Sequence, residues 1–127
     1  MQDIRLVLGF AMLALAAPAI AAGPFDGTYT GPQIATLTNN SATCQNMDRD
    51  VSITVRDSKI ARKWGPNQQD TIEAEVKPDG TFFGSTSATG RGRTREYIMR
   101  GKISGGRLEG EIGSSMCGVK MSLTKKS

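Results

Sequence analysis

Three arginines alternate through one glycine-bearing stretch, Arg91, Arg93 and Arg95, and a second basic pair, Arg62-Lys63, stands directly before Trp64, the only tryptophan. A guanidinium offers donors in a planar fork that matches the oxygens of a carboxylate, phosphate or sulfate. The segment Ser85-Thr86-Ser87-Ala88-Thr89-Gly90-Arg91-Gly92-Arg93 reads as a loop with no apolar residue larger than alanine. A flexible loop with this chemistry is expected to bind an anion through Arg91, Arg93 and Arg95, with Trp64 near them. The plainer reading is a solvated loop whose charges keep the protein soluble, in line with a formal net charge of +4. Trp64 itself reads as a plug at one end of the fold, or else as a partly exposed aromatic anchor at a binding surface.

The residues that are missing narrow the chemistry further. The chain has no histidine, which removes Ser-His-Asp and Cys-His nucleophiles and the commonest ligand for zinc, copper and haem iron. Carboxylates, tyrosines and lysines are left as acid/base groups. Glu73 with Glu75, and Glu109 with Glu111, are each spaced by two, so on a strand both members of a pair point to the face opposite the apolar one. That wet face makes surface decoration the expected role, with a carboxylate pair for glycoside chemistry the sharper alternative. Asp48 and Asp50 could contribute to a calcium loop but supply only two carboxylates. No enzyme, cofactor or metal centre is expected. Aromatic residues are 6% of the chain and no recognition motif for nucleic acid is present.

These groups must be positioned by whatever the rest of the chain folds into. Residues 1–21 have the n-region, the apolar run LVLGFAMLALAAPAI and the Ala-Ile-Ala site of a secretory signal, with cleavage expected after Ala21 or Ala22. The run is too short for a spanning helix. Residues 22–127 then form one β domain of a size that holds one modest core. Its two cysteines, Cys44 and Cys117, are expected to pair in an oxidising compartment, periplasmic or extracellular.

Alternation of apolar and polar residues recurs along this domain, and turn chemistry separates the repeats, as at Arg56-Asp57-Ser58-Lys59, Lys77-Pro78-Asp79-Gly80 and Ser104-Gly105-Gly106. Strands are expected at Phe25 to Thr30, Val51 to Asp57, Lys59 to Trp64, Thr71 to Val76, Thr81 to Thr86, Thr94 to Ser104, Arg107 to Ile112 and Cys117 to Lys125. An all-β, antiparallel up-and-down meander of about eight strands follows, a small barrel or a two-sheet sandwich, the barrel favoured because closure removes exposed edges. Gly31 to Arg49 reads as a long connection with a short strand at Ile34 to Thr38. Phe25, Tyr29, Phe83 and Tyr97 are expected in the core. Small residues at inward positions, Ala74, Gly101 and Gly110, leave room for an internal cavity.

The start Phe25-Asp26-Gly27-Thr28-Tyr29-Thr30-Gly31, with an early Cys44 and a late Cys117, resembles small proteobacterial periplasmic proteins with an FDGxYxG start and one disulfide, a group with no assigned activity. The architecture is similar to lipocalin and avidin barrels, where Gly27-Thr28-Tyr29 stands in the place of a Gly-x-Trp strand, and to periplasmic protease-inhibitor barrels that insert their N-terminus into a protease. The expected function is a non-enzymatic exported binding domain for an anionic small molecule or envelope polymer. The alternative is a protein-interaction module such as an inhibitor of a secreted or envelope hydrolase, recognisable by a free, ordered N-terminus.

Overall fold

A computed structural model describes residues 23–39, 44–64, 70–90 and 93–126. Eight strands form a closed antiparallel barrel in sequence order: β1 (Gly27–Thr38), β2 (Arg49–Arg56), β3 (Lys59–Trp64), β4 (Asp70–Val76), β5 (Thr81–Gly90), β6 (Arg93–Ser104), β7 (Arg107–Gly113) and β8 (Cys117–Lys125), with β8 returning to pair with β1. Among the described residues no helix is long and apolar enough to cross a membrane.

Period-two alternation sets which side chains fill the interior. Ile53 and Val55, Ile60 and Trp64, Ile72 and Val76, Leu108 and Ile112, and Val119, Met121 and Leu123 all point inward and are buried. Each large aliphatic side chain so buried contributes roughly 1.5 to 3 kcal/mol. The interior is filled at the positions where small residues raised the prospect of a hollow. Gly101 and Gly110 face each other across β6 and β7, and a Cβ at either would press on Phe82 Cζ, 2.7 Å away at Gly101 and 3.1 Å at Gly110. The Phe82 ring takes the space that two missing side chains leave. Phe83, expected in the core, is the outward neighbour and is 57% exposed. The two adjacent rings could be told apart only by the parity of β5.

The short strand expected at Ile34 to Thr38 is present as the continuation of the first strand, and the loop expected at Ser85 to Arg93 is strand as far as Gly90. β1 runs on through Thr38, with a register shift between Ala35 and Leu37, and β5 pairs with β6 as far as Gly90↔Arg93. The stretch Ser85 to Gly90 is therefore the end of a long hairpin rich in Ser and Thr, and threonine suits a pleated surface as well as a turn.

The barrel has two unlike ends. At the turn end, Asp57 and Ser58 both have positive φ (53° and 62°), the mirror-image two-residue turn that usually takes Asn-Gly. Gly105-Gly106 makes the same kind of turn with glycine at both positions. Asp26 compensates in the turn without glycine: Oδ2 accepts the Asp57 N–H at 2.7 Å and Oδ1 the Ser58 N–H at 3.0 Å. Those bonds hold the Asp26 carboxyl below its ordinary range, the Ser58 amide first among the causes. Phe25 does not pair into the sheet. It packs against the core, and its carbonyl accepts the Tyr29 hydroxyl at 2.8 Å. Burial, and then the Asp26 charge, push that phenol up. Gly23–Asp26 is thus folded back onto the barrel. At the opposite end, the mouth, the Cys44–Cys117 disulfide ties the approach to β2 to the first residue of β8, with Cα atoms 5.5 Å apart.

Candidate functional site

The alternation that buries Ile60 and Trp64 also carries the residue between them into the barrel. Arg62 is 9% exposed, and with Gln33 it makes up the buried polar side chains of the described core. Its Nη2 donates to Gln33 Oε1 at 2.6 Å and its Nη1 to Met121 Sδ at 3.0 Å. The guanidinium also lies over the Trp64 ring, 5.7 Å from the centroid. Gln33 is fixed from its other side, where Nε2 donates to the Met47 carbonyl at 2.8 Å. A guanidinium has five N–H donors, and two of them are engaged in these bonds. Among the described residues no carboxylate lies within ion-pair distance of Arg62 or of Arg49. Burial, aided by the nearby charge of Arg49, lowers the Arg62 pKa to about 10. At neutral pH it remains a full cation in a place that penalises charge.

The wall beside Arg62 is open. β2 and β3 pair only at Arg56↔Lys59 and Val55↔Ile60, next to their turn. Beyond Val55, β2 keeps its other neighbour, pairing with β1 from Val55 to Arg49, while β3 keeps β4 from Lys59 to Trp64. Past the Val55↔Ile60 pair the two strands are unpaired and flank a cleft of about 470 Å³, lined on one side by residues of β2 from Arg49 to Thr54 and on the other by Ala61, Arg62 and Lys63. β4 and β5 also have a short ladder, Glu75↔Phe83 and Val76↔Phe82, but there the backbones stay close. A Cβ on Gly84 would overlap the Glu73 carbonyl.

The expected site residues divide. Trp64 is buried at the mouth (4% exposed) beside Arg62. Arg91 lies outside the described residues. Arg93 and Arg95 belong by backbone to β6, opposite Gly90 and Ala88, and their side chains also lie outside the described residues. Arg62, Arg49 and Gln33 were missed as a group. The available signal was the parity of Ile60-x-Arg62-x-Trp64, which separates Arg62 from its outward neighbour Lys63. Asp48, read as a possible calcium ligand, accepts the Ala35 N–H at 2.7 Å where β1 leaves β2. Among the described residues no cluster of metal-ligating side chains occurs. Glu73, Glu75, Glu109 and Glu111 stand on the outer wall, Glu111 3.5 Å from Arg100 and Glu109 3.2 Å from Arg107.

What fold and site define together is a packed eight-stranded barrel in which, among the described residues, one arginine is buried without a carboxylate partner beside an unpaired seam in the wall. No protein-family model, curated protein or solved structure matches the chain.

Proposed function

We propose that this chain is an exported, non-enzymatic binding domain, and that its anionic ligand is held by Arg62 with Arg49 at the mouth of the β2–β3 seam. The observation that supports this reading is the state of Arg62. A guanidinium taken out of water with an amide, a thioether and an indole face for company costs stability unless an anion completes its shell. Gln33 and Trp64 hold the fork in one orientation, and preorganised donors favour an anion over water. The packed interior argues for a ligand that enters the wall and against one enclosed in the barrel.

The test uses the single tryptophan as its reporter. Titration of the mature protein with acetate, phosphate and sulfate is expected to change Trp64 fluorescence saturably for at least one of them and to raise Tm, with both responses lost in Arg62→Met. Wild-type protein indifferent to all three, or a response unchanged in Arg62→Met, overturns the reading.

A further inference from the structure

The seam offers main chain as well as charge. In an antiparallel ladder the N–H and C=O groups of alternate residues point to alternate neighbours. Arg56 and Lys59 flank the two-residue turn and face each other, and Thr28, opposite Thr54, gives its carbonyl to Lys126 on the far side. By this parity Val55, Ile53, Val51 and Arg49 face β1, and the main-chain groups of Asp50 and Ser52 face the seam. By the same parity Lys63 faces the seam from β3, since Arg62 and Trp64 are turned to β4. The ladder has already stopped at Val55↔Ile60, and among the described residues no backbone partner replaces it. Two unpaired strand edges therefore flank the cleft that Arg62 lines.

From this we infer that the ligand of the proposed anion site is an extended peptide segment bearing a carboxylate, docked by strand addition in the β2–β3 seam. The inference rests on the anion-binding reading of Arg62 and names what carries the anion. An open edge recruits extended backbone, which supplies affinity with little regard to sequence. The charged groups lining the cleft are Arg49, Asp50, Arg62 and Lys63, a net positive set that selects an acidic partner over a basic one. The geometry also fixes a direction. Among the described residues the seam is closed at its turn end by the Val55↔Ile60 pair and has no pairing toward the mouth, so a chain enters by its tip. A carboxyl terminus entering first runs parallel to β2 and antiparallel to β3. At about 3.3 Å per residue, some three to four residues fit between the mouth and the closed end, and the terminal carboxylate then lies level with Arg62. A Glu or Asp side chain near the tip of a bent segment presents the same group.

The experiment compares four probes on the full mature protein by Trp64 fluorescence and by amide exchange: an acetylated Thr-Val-Thr-Val free acid, its C-terminal amide, the free acid with N-methylated alternate amides, and an amidated Thr-Val-Thr-Glu. Acetate serves as the anion without a strand. The free acid is expected to bind at least 10-fold more tightly than its amide, its N-methylated form and acetate, and to slow exchange of the Ser52 and Lys63 N–H groups. Its advantage should vanish in Arg62→Met. Tight binding by the Glu-terminated amide and weak binding by the free acid would also support the inference and place the carboxylate on a side chain. Equal affinity for acetate and all peptides, with N-methylation harmless and exchange at Ser52 and Lys63 unaltered, overturns strand addition and leaves the anion site standing. Failure of acetate and every peptide alike overturns both.

Discussion

Arg62 Nη2 donates to Gln33 Oε1 at 2.6 Å inside the barrel, so a buried cation is held by an amide where a structural arginine would have a carboxylate. Gln33 reaches on to the Met47 carbonyl just before β2, which couples the guanidinium to the chain that borders the seam. This arrangement fixes the arginine without neutralising it.

Its energetic consequence can be measured directly. Replacing a buried charge by an apolar side chain of similar length removes the desolvation cost. Arg62→Met is therefore expected to be at least as stable as wild type in urea at pH 7. Gln33→Leu/Arg62→Met, which leaves no orphaned amide, is expected to gain up to ~2 kcal/mol. The sign with pH follows from the lowered pKa of about 10. Below it the folded protein bears the full cost of the buried charge. As pH rises through about 10 the folded state releases the proton more readily than the unfolded chain, and wild type gains on the variant. The gap between the two should thus narrow between pH 9 and pH 11. A marked loss of stability in both variants would make Arg62 a structural residue.

The turn end makes an opposite prediction at the other extreme of pH. The Asp26 carboxylate caps the Asp57 and Ser58 amides, and its lowered pKa means that folding favours the ionised form. That stability is present above the unfolded value near 3.8 and lost as pH falls through the lower folded value. Asp26→Ala should lower Tm at pH 7, and the difference from wild type should close in the region below pH 3.8. In an Asp57→Asn/Ser58→Gly background, where the positive φ no longer strains the turn, Asp26→Ala should cost less. A pH-independent difference would mean that the carboxylate acts by packing alone.

How much of this was legible in the sequence depends on which half of the barrel is considered. Near the turn end the interior is apolar, so alternation at Ile53-x-Val55, Ile72-x-Ala74-x-Val76 and Leu108-x-Gly110-x-Ile112 marks strands and faces together. The turns follow from the residues between these runs, and the disulfide from the presence of two cysteines, Cys44 and Cys117. Toward the mouth the inward positions include Gln33 and Arg62, while Ile34 is 58% exposed. There the apolar signal inverts, and the second half of β1 reads as a long connection with a separate short strand at Ile34 to Thr38. The hairpin ending at Gly90 fails for a related reason, having no large apolar side chain to show its parity. The pattern breaks down where the interior is polar, which is where the candidate site lies.

The disulfide spans the mouth and should matter chiefly for the unfolded chain. With a sequence separation of 73, loop-closure entropy corresponds to about 4 kcal/mol. Cys44→Ala/Cys117→Ala is expected to lose an amount of that order in equilibrium urea unfolding, and wild type under strong reductant should lose the same. Because the bond lies at the mouth, away from the Asp26 turn, its loss should add to that of Asp26→Ala within about 0.5 kcal/mol. A strong departure from additivity would show that the two ends of the barrel are coupled.

The packing of Phe82 against Gly101 and Gly110 gives a test of whether the interior is as full as described. A Cβ at Gly110 would come within 2.6 Å of the Arg100 carbonyl and 3.1 Å of Phe82 Cζ, and one at Gly101 would overlap the Glu109 carbonyl. Gly110→Ala should cost about 1 to 3 kcal/mol by overpacking. Phe82→Leu should cost a similar amount through the space it opens. Part of the Gly110→Ala strain is against a ring, so the double variant should lose less than the sum of the two single losses. Both glycines meet a carbonyl before the ring, but the Gly101 Cβ overlaps the Glu109 carbonyl more deeply than the Gly110 Cβ does the Arg100 carbonyl, so Gly101→Ala should regain a smaller share of its loss from Phe82→Leu. The comparison of the two rescues is therefore more telling than either single loss. If both glycine variants were tolerated without loss, the space beneath them would be empty, and a ligand enclosed in the barrel would regain its place beside one bound in the seam.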